Sequence, residues 1–182
     1  MTRRFRSPRL RYAVAAAVVA TVVPVAAARA SLERDASAAL RRLYQQQPSA
    51  KLLGQHARAI LVFPAIVKAG FMFGGAIGDG VLFRRGRPAG TYNSVAASYG
   101  FQAGIQKYAY ALFFMSDGAI RALDATAGFE LGVGPSVVVV DQGVARSMTT
   151  QTMRDDVYAY IFSQKGLMAG LGVQGSKITR ID

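Results

Sequence analysis

Few side chains in this sequence could act as acids, bases or nucleophiles in catalysis. The chain has one histidine, His56, and no motif around it would complete a Ser-His-Asp arrangement, so we expect a solvated or capping histidine. Asp155 and Asp156 are adjacent carboxylates, which usually point in different directions, and this pair is expected to cap the segment that follows. Asp79 lies between two glycines, where a turn or bulge role is expected, with a buried polar role as the alternative. The residues therefore predict a protein that is not an enzyme.

The sequence also lacks the residues that bind metal ions and common cofactors. It has no cysteine, which excludes disulfides, iron–sulfur clusters and thiolate metal sites, and one histidine cannot make a typical zinc site. The glycines form neither a phosphate-binding loop motif nor a dinucleotide-binding motif. We therefore predict no cofactor and no metal site.

Residues 1–30 have the composition of a secretory signal peptide. Residues 3–11 hold five arginines, residues 13–28 are almost wholly alanine and valine, and Ala28-Arg29-Ala30 is a small-x-small cleavage site. The alternative is a retained transmembrane anchor, but an apolar stretch of about 16 residues with a proline is shorter than the roughly 20 that span a bilayer. We expect cleavage after residue 30 and a periplasmic or secreted bacterial protein, exported by the Sec or the twin-arginine route.

The remaining chain is moderately basic, which favours anionic partners. The formal net charge of +12 comes from 22 lysines and arginines against 10 acids, and residues 1–30 hold six of the arginines and none of the acids, so residues 31–182 keep +6. Such a charge attracts anionic surfaces at long range. Arg84, Arg85 and Arg87 share one predicted turn and could together supply a few kcal/mol at an anionic membrane, at about 1 kcal/mol each. The alternative is a soluble turn that keeps an apolar protein dispersed. Nucleic acid is a weaker alternative, because the basic residues are scattered and export removes the usual partners.

The hydrophobic pattern predicts an α+β fold in one domain, residues 31–182. Helical spacing predicts a helix over 31–47 with an apolar stripe that docks on its own domain or, less favoured, lies on a membrane. A second short helix reaches His56, and another covers 117–125. Between them, period-two alternation and repeated glycines predict a mainly antiparallel sheet that is strongly curved or barrel-like. Its predicted strand runs are 60–63, ended by a proline, then 67–83, 92–115, 129–140, 157–162 and 167–178.

Four motifs in order resemble the SYLF lipid-binding domain, over roughly residues 38–181. They are Ala59-Ile60-Leu61-Val62-Phe63-Pro64 with the glycine-rich stretch to Leu82, then Ala97-Ser98-Tyr99-Gly100-Phe101-Gln102-Ala103-Gly104, then Phe129-Glu130-Leu131-Gly132-Val133-Gly134, and finally the run from Gln164 to Ser176. The resemblance implies phospholipid binding without enzymatic activity. Phosphoinositide binding and actin association belong to eukaryotic members, and an exported bacterial protein should meet no actin and little phosphoinositide.

Two functional hypotheses follow from the charge pattern and the resemblance. The first is a phospholipid-binding module of the cell envelope whose basic turns meet anionic headgroups, with these predicted lipid-binding residues: Lys68, Arg84, Arg85, Arg87 and Lys165. The second is a structural or partner-binding periplasmic protein with no lipid ligand.

Overall fold

The computed structural model describes residues 25–71, 73–99, 104–125, 128–130, 135–149, 151–166 and 176–182. Most of the predicted signal peptide, residues 1–24, lies outside these ranges. So do residues 100–103, 131–134 and 167–175, which belong to three of the motifs that resemble the SYLF domain.

The eight strands form one sheet whose order is β5-β8-β3-β2-β1-β4-β7-β6, which confirms the predicted α+β class. All neighbouring pairs are antiparallel except β6 and β7. In chain order the elements are α1 (Val25–Gln46), α2 (Pro48–His56), β1 (Ala59–Phe71), β2 (Phe73–Arg84), β3 (Arg87–Tyr99), β4 (Gly104–Phe114), α3 (Asp117–Leu123), β5 (Phe129–Glu130), β6 (Val137–Val139), α4 (Gln142–Ser147), β7 (Val157–Gly166) and β8 (Ser176–Arg180).

The predicted strand over 129–140 is wrong, because this segment contributes to both edges of the sheet. Phe129–Glu130 pairs with β8 at one edge, and Val137–Val139 pairs with β7 at the other. In a flat sheet these edges would lie about 34 Å apart. The chain from Glu130 to Val137 spans at most about 25 Å. The sheet must therefore curl, and it is the strongly curled half-barrel that the glycine pattern predicted.

Both faces of the sheet are buried over much of their area, because the strands alternate between two apolar cores. On β4, Tyr110 and Leu112 join a core on the face that α3 covers. Ala111 and Phe113 join the opposite core, which α1 and α2 cover. The stripe on α1 packs into this second core, where its buried residues are Ala36, Ala39 and Leu43. The docked reading of this helix is therefore confirmed.

The proline in β1 marks a bulge and does not end the strand as predicted. The pairing of β1 with β2 runs through Val62↔Val81 and resumes at Val67↔Ile77, one residue out of register. The pairing with β4 shifts at the same place. Proline has no N–H for the ladder and is tolerated at such bulges. Because strand side chains alternate, one extra residue moves every later side chain of β1 to the other face.

The predicted run over 67–83 is two strands joined by a hairpin. Phe71 pairs with Phe73 across the turn, so odd-numbered residues stay on one face through both arms. At this end of the sheet the face with the larger side chains is solvent-exposed, with Val67 43% and Ile77 56% exposed. The opposite face is buried, with Lys68 8% and Ala76 7% exposed.

Candidate functional site

An exposed row of apolar side chains crosses the end of the sheet that α1 leaves open. Val67, Ile77 and Val95 pair directly across β1, β2 and β3, and directly paired residues share a face. Ile105 on β4 lies on the same face and pairs with Ala69. Val95 is 48% and Ile105 69% exposed. We call these four residues the apolar ledge. Contiguous exposed apolar side chains usually mark an interaction surface.

Lysines continue the row at both ends of the ledge. Lys107 on β4 pairs with Val67 on β1 at one side and with Lys165 on β7 at the other. Lys177 pairs with Val95 on the other side. All three lysines are exposed. The row across six strands therefore reads lysine, lysine, valine, isoleucine, valine, lysine, with an apolar centre between cationic ends.

The bulge in β1 determines what the ledge presents. Before the bulge, Leu61 and Phe63 face the α3 side and Val62 faces the helices α1 and α2. With no bulge, this alternation would place Lys68 on the helix side and Val67 on the α3 side. The extra residue exchanges them, so the valine is exposed on the ledge and the lysine is buried on the opposite face.

The predicted basic turn lies at the other end of the molecule. Arg85 and Gly86 form its two-residue loop with φ of 51° and 75°, the left-handed pair that a tight hairpin requires. Arg84 pairs with Asp124 at 3.1 Å, so this arginine is already partly neutralised. Seven residues of β2 separate Ile77 from Arg84, which is about 23 Å along the strand.

The five predicted lipid-binding residues therefore occupy three places. Arg84, Arg85 and Arg87 lie together at the hairpin turn and are exposed. Lys165 lies in the ledge row, and Lys68 is on the buried face of β1. Lipid binding by these residues stays a prediction. Sequence reasoning missed Lys107, Lys177 and the ledge, since only the strand register brings them together.

Asp124 organises a polar cluster behind the basic turn. Its Oδ1 accepts a hydrogen bond from the Tyr92 hydroxyl at 2.5 Å and lies 3.7 Å from Nη1 of Arg180, while its Oδ2 faces Arg84. Burial of Tyr92, and then the hydrogen bond and negative charge of Asp124, raise the pKa of its phenol well above the usual range. The carboxylate is shared between a tyrosine and two arginines, so the cluster is a structural clamp.

The residues considered for catalysis in the sequence make hydrogen-bond contacts within the fold. His56 is exposed at the end of α2, where its Nδ1 lies 2.9 Å from the Leu52 carbonyl oxygen. Asp79 accepts a hydrogen bond from Asn93 at 2.7 Å. Asp156 accepts one from Ser116. Within the described ranges, histidine, aspartate and glutamate side chains nowhere gather in threes as metal ligands would. In the same ranges, no helix combines the length and the apolar character needed to cross a bilayer.

A comparison with known protein families matches the second half of the fold. Residues 95–182, from within β3 onward, match the family described as Ysc84, Las17-binding protein actin regulator. This match over residues 95–182 is consistent with a SYLF-family domain. SYLF domains are binding domains whose partners are lipids or proteins. The first motif of the resemblance, residues 59–82, lies outside the matched range. No curated protein matches the chain.

Proposed function

We propose that this protein is a non-enzymatic peripheral membrane protein that binds anionic phospholipid through the apolar ledge and its flanking lysines. The observation that supports this is the row itself, in which exposed apolar side chains lie between exposed cations. A membrane interface offers the same sequence of environments, with anionic headgroups above an apolar acyl region. The lysines would meet phosphates while the ledge enters the acyl boundary.

The exposure of the ledge sets the size of the expected effect. Complete burial of a valine or isoleucine side chain contributes about 1.5–3 kcal/mol. Val67, Ile77 and Val95 are roughly half exposed, so the membrane can bury about half of that for each, or about 1 kcal/mol. Each lysine adds about 1 kcal/mol at an anionic surface. Both contributions are needed to offset the entropy lost on association.

The test is co-sedimentation with liposomes of the protein expressed with its own leader and purified after processing. Neutral phosphatidylcholine vesicles are compared with vesicles that also contain phosphatidylglycerol, at low and high salt. We expect binding that requires the anionic lipid and weakens with salt. Ile77→Thr with Val95→Thr keeps both β-branched shapes and removes about 2 kcal/mol, which is roughly a 30-fold loss of affinity. Val139→Thr is the control, since Val139 is 46% exposed on β6, away from the ledge.

A matched pair of charge variants separates the ledge from the basic turn. Lys107→Gln with Lys165→Gln removes two positive charges beside the ledge. Arg85→Gln with Arg87→Gln removes two at the turn. We expect the first pair to weaken binding by roughly 30-fold at low salt, and the second pair to have a small effect. The reverse result would assign membrane binding to the basic turn and refute binding through the ledge.

Binding of a protein partner is the second candidate function, because the family description names Las17 binding and actin regulation. For an exported protein the partner would be another envelope protein. This candidate predicts that the purified protein ignores liposomes of either charge and co-purifies with a partner. Unchanged partner capture by the ledge variant would further separate the two functions.

The proposed location is the bacterial cell envelope, after removal of residues 1–30. The basic start, apolar middle and small-x-small site of the leader support it. Helix α1 begins at Val25, so cleavage after Ala30 would shorten this helix at its exposed end. It would also remove Arg29, which pairs with Asp182 at 2.8 Å.

A further inference from the structure

Two bulges flank β4 at adjacent positions, one on β1 opposite Ala109 and one on β7 opposite Tyr108. On β1, Phe63 pairs with Tyr110 and Ile66 with Tyr108, so that Pro64 and Ala65 together oppose the single residue Ala109. On β7, the register with β4 shifts between Lys107 and Ala109, so Ser163 and Gln164 oppose Tyr108 without regular pairing. Bulges are frequent next to functional sites, because they redirect side chains and interrupt the ladder.

The two bulges form the floor of a groove of about 530 Å³ under α1. Ala38 on α1 is small and leaves the groove open, while Arg42, one turn along the helix, lines it. The other cations in the groove are Lys107 and Lys165 from the ledge row. Asp35 is the one carboxylate among the described lining residues. The groove therefore has a net positive charge.

The positions of the cations in the groove lower the stability of the fold. Lys107 and Lys165 are directly paired across β4 and β7, and like charges in this position destabilise a sheet. Within the described residues, no carboxylate forms an ion pair with either lysine or with Arg42. An anion between the two strands and the helix would relieve this repulsion.

The backbone of the β7 bulge is also strained. Ser163 has a φ of 54°, in the left-handed region that a non-glycine residue adopts at a cost. Strain of this kind persists where the surrounding structure enforces it, and it is concentrated at ligand-binding sites. At this position it turns the chain so that Ser163, Gln164 and Lys165 all line the groove.

We propose that the groove binds the phosphate group of a single anionic phospholipid. This inference rests on the proposed function, because Lys107 and Lys165 belong to both the groove and the ledge row. A phosphate held by these lysines and Arg42 would leave its acyl chains next to Val67 and Ile105, where the ledge meets the membrane. A soluble phosphate has the same recognition chemistry, and the experiment separates the two sources.

The test compares two arginine variants on the same helix. Arg42→Gln removes a cation that lines the groove and lies outside the ledge row. Arg34→Gln removes another exposed cation of α1, one that does not line the groove. The purified, processed protein is titrated with dihexanoyl phosphatidylglycerol below its micelle concentration, and separately with inorganic phosphate. Amide chemical shifts report the site, and vesicle co-sedimentation is measured in parallel.

We expect the short-chain lipid to shift the amides of Lys107, Ser163 and Lys165. Arg42→Gln should weaken this binding roughly tenfold or more, as for the loss of a hydrogen bond to a charged group, while Arg34→Gln leaves it unchanged. Equal effects of the two variants would refute lipid binding in the groove. The same conclusion would follow if inorganic phosphate bound as tightly as the short-chain lipid. Failure of the groove would leave ledge-dependent vesicle binding intact. Failure of the proposed function would instead abolish the ledge dependence while the short-chain lipid still binds.

Discussion

Gly78 on β2 lies against the Pro64–Ala65 bulge of β1, and a methyl group at this position would meet backbone. A Cβ built on Gly78 overlaps the carbonyl oxygen of Ala65 and lies 2.6 Å from Cδ1 of Ile66. The isoleucine can rotate, but the carbonyl is fixed by the bulge. We therefore expect Gly78→Ala to force either the bulge or β2 out of place.

The expected cost follows from the nature of the contact. Overpacking a well-formed core costs about 1–3 kcal/mol. For a chain of this size a loss of 1 kcal/mol lowers Tm by about 2–4 °C, so a cost of about 2 kcal/mol lowers it by about 4–8 °C. Gly75→Ala is the matched control on the same strand, because the nearest atom to its Cβ is the Ala96 carbonyl oxygen at 3.6 Å. This control should be neutral or gain about 0.4–1 kcal/mol from lower entropy of the unfolded chain.

Thermal unfolding of the wild type and both variants by circular dichroism measures the difference. The short-chain lipid titration should also weaken in Gly78→Ala, because Pro64 and Ala65 line the groove. Equal Tm values for Gly78→Ala and Gly75→Ala would refute the reasoning, since they would mean that the Ala65 carbonyl does not lie against Gly78. A stability loss without a change in lipid binding would separate the bulge from the groove.

Two further predictions concern the clamp behind the basic turn and the leader. Tyr92 has a raised pKa in the folded state, so the stability it contributes is complete below the unfolded tyrosine pKa of about 10 and falls as pH rises above it. Urea midpoints measured at pH 8 and pH 10.5 should fall less in Tyr92→Phe than in the wild type, and an identical fall would contradict the assignment. Mass spectrometry of the exported protein should find residue 31 at the N-terminus. A mature chain that begins before residue 31 would rule out the predicted cleavage site. Cleavage there removes the Arg29–Asp182 ion pair, which should lower the free energy of unfolding by at most about 1 kcal/mol, because Arg29 is half exposed.

Helices α1 to α3 and the sheet class could be predicted because their signals are local, whereas α4 (Gln142–Ser147) was not predicted. Ala36, Ala39 and Leu43 recur at helical spacing, and the structure buries all three. The extent of the strands could not be predicted so well. The alternation continues from β1 into β2, since the pairing of Phe71 with Phe73 keeps odd-numbered positions opposite one another. The run over 129–140 contains strand-forming residues on both sides of a Gly-Pro pair, and nothing local assigns its halves to opposite edges.

The candidate site could not be predicted, because it is formed by strand pairings that the sequence does not show. Charge alone identified Lys165, but Lys107 is 58 positions earlier and becomes its neighbour only through the β4–β7 register. The exposed valines and isoleucines resemble core residues, because composition does not show which end of the sheet α1 leaves uncovered. Arg84 was selected for its charge, whereas its pairing with Asp124 could be found only from the fold.

The bulge at Pro64 connects these observations, because one inserted residue has three consequences. It brings the Ala65 carbonyl against β2, which requires a glycine at position 78. It turns Val67 outward to join Ile77 and Val95, and it turns Lys68 inward. Together with the bulge on β7, it also opens the groove beside Lys107. A regular β1 would be easier to form, but it would turn Val67 away from the ledge and close the groove. Both proposed lipid contacts therefore depend on the irregular strand.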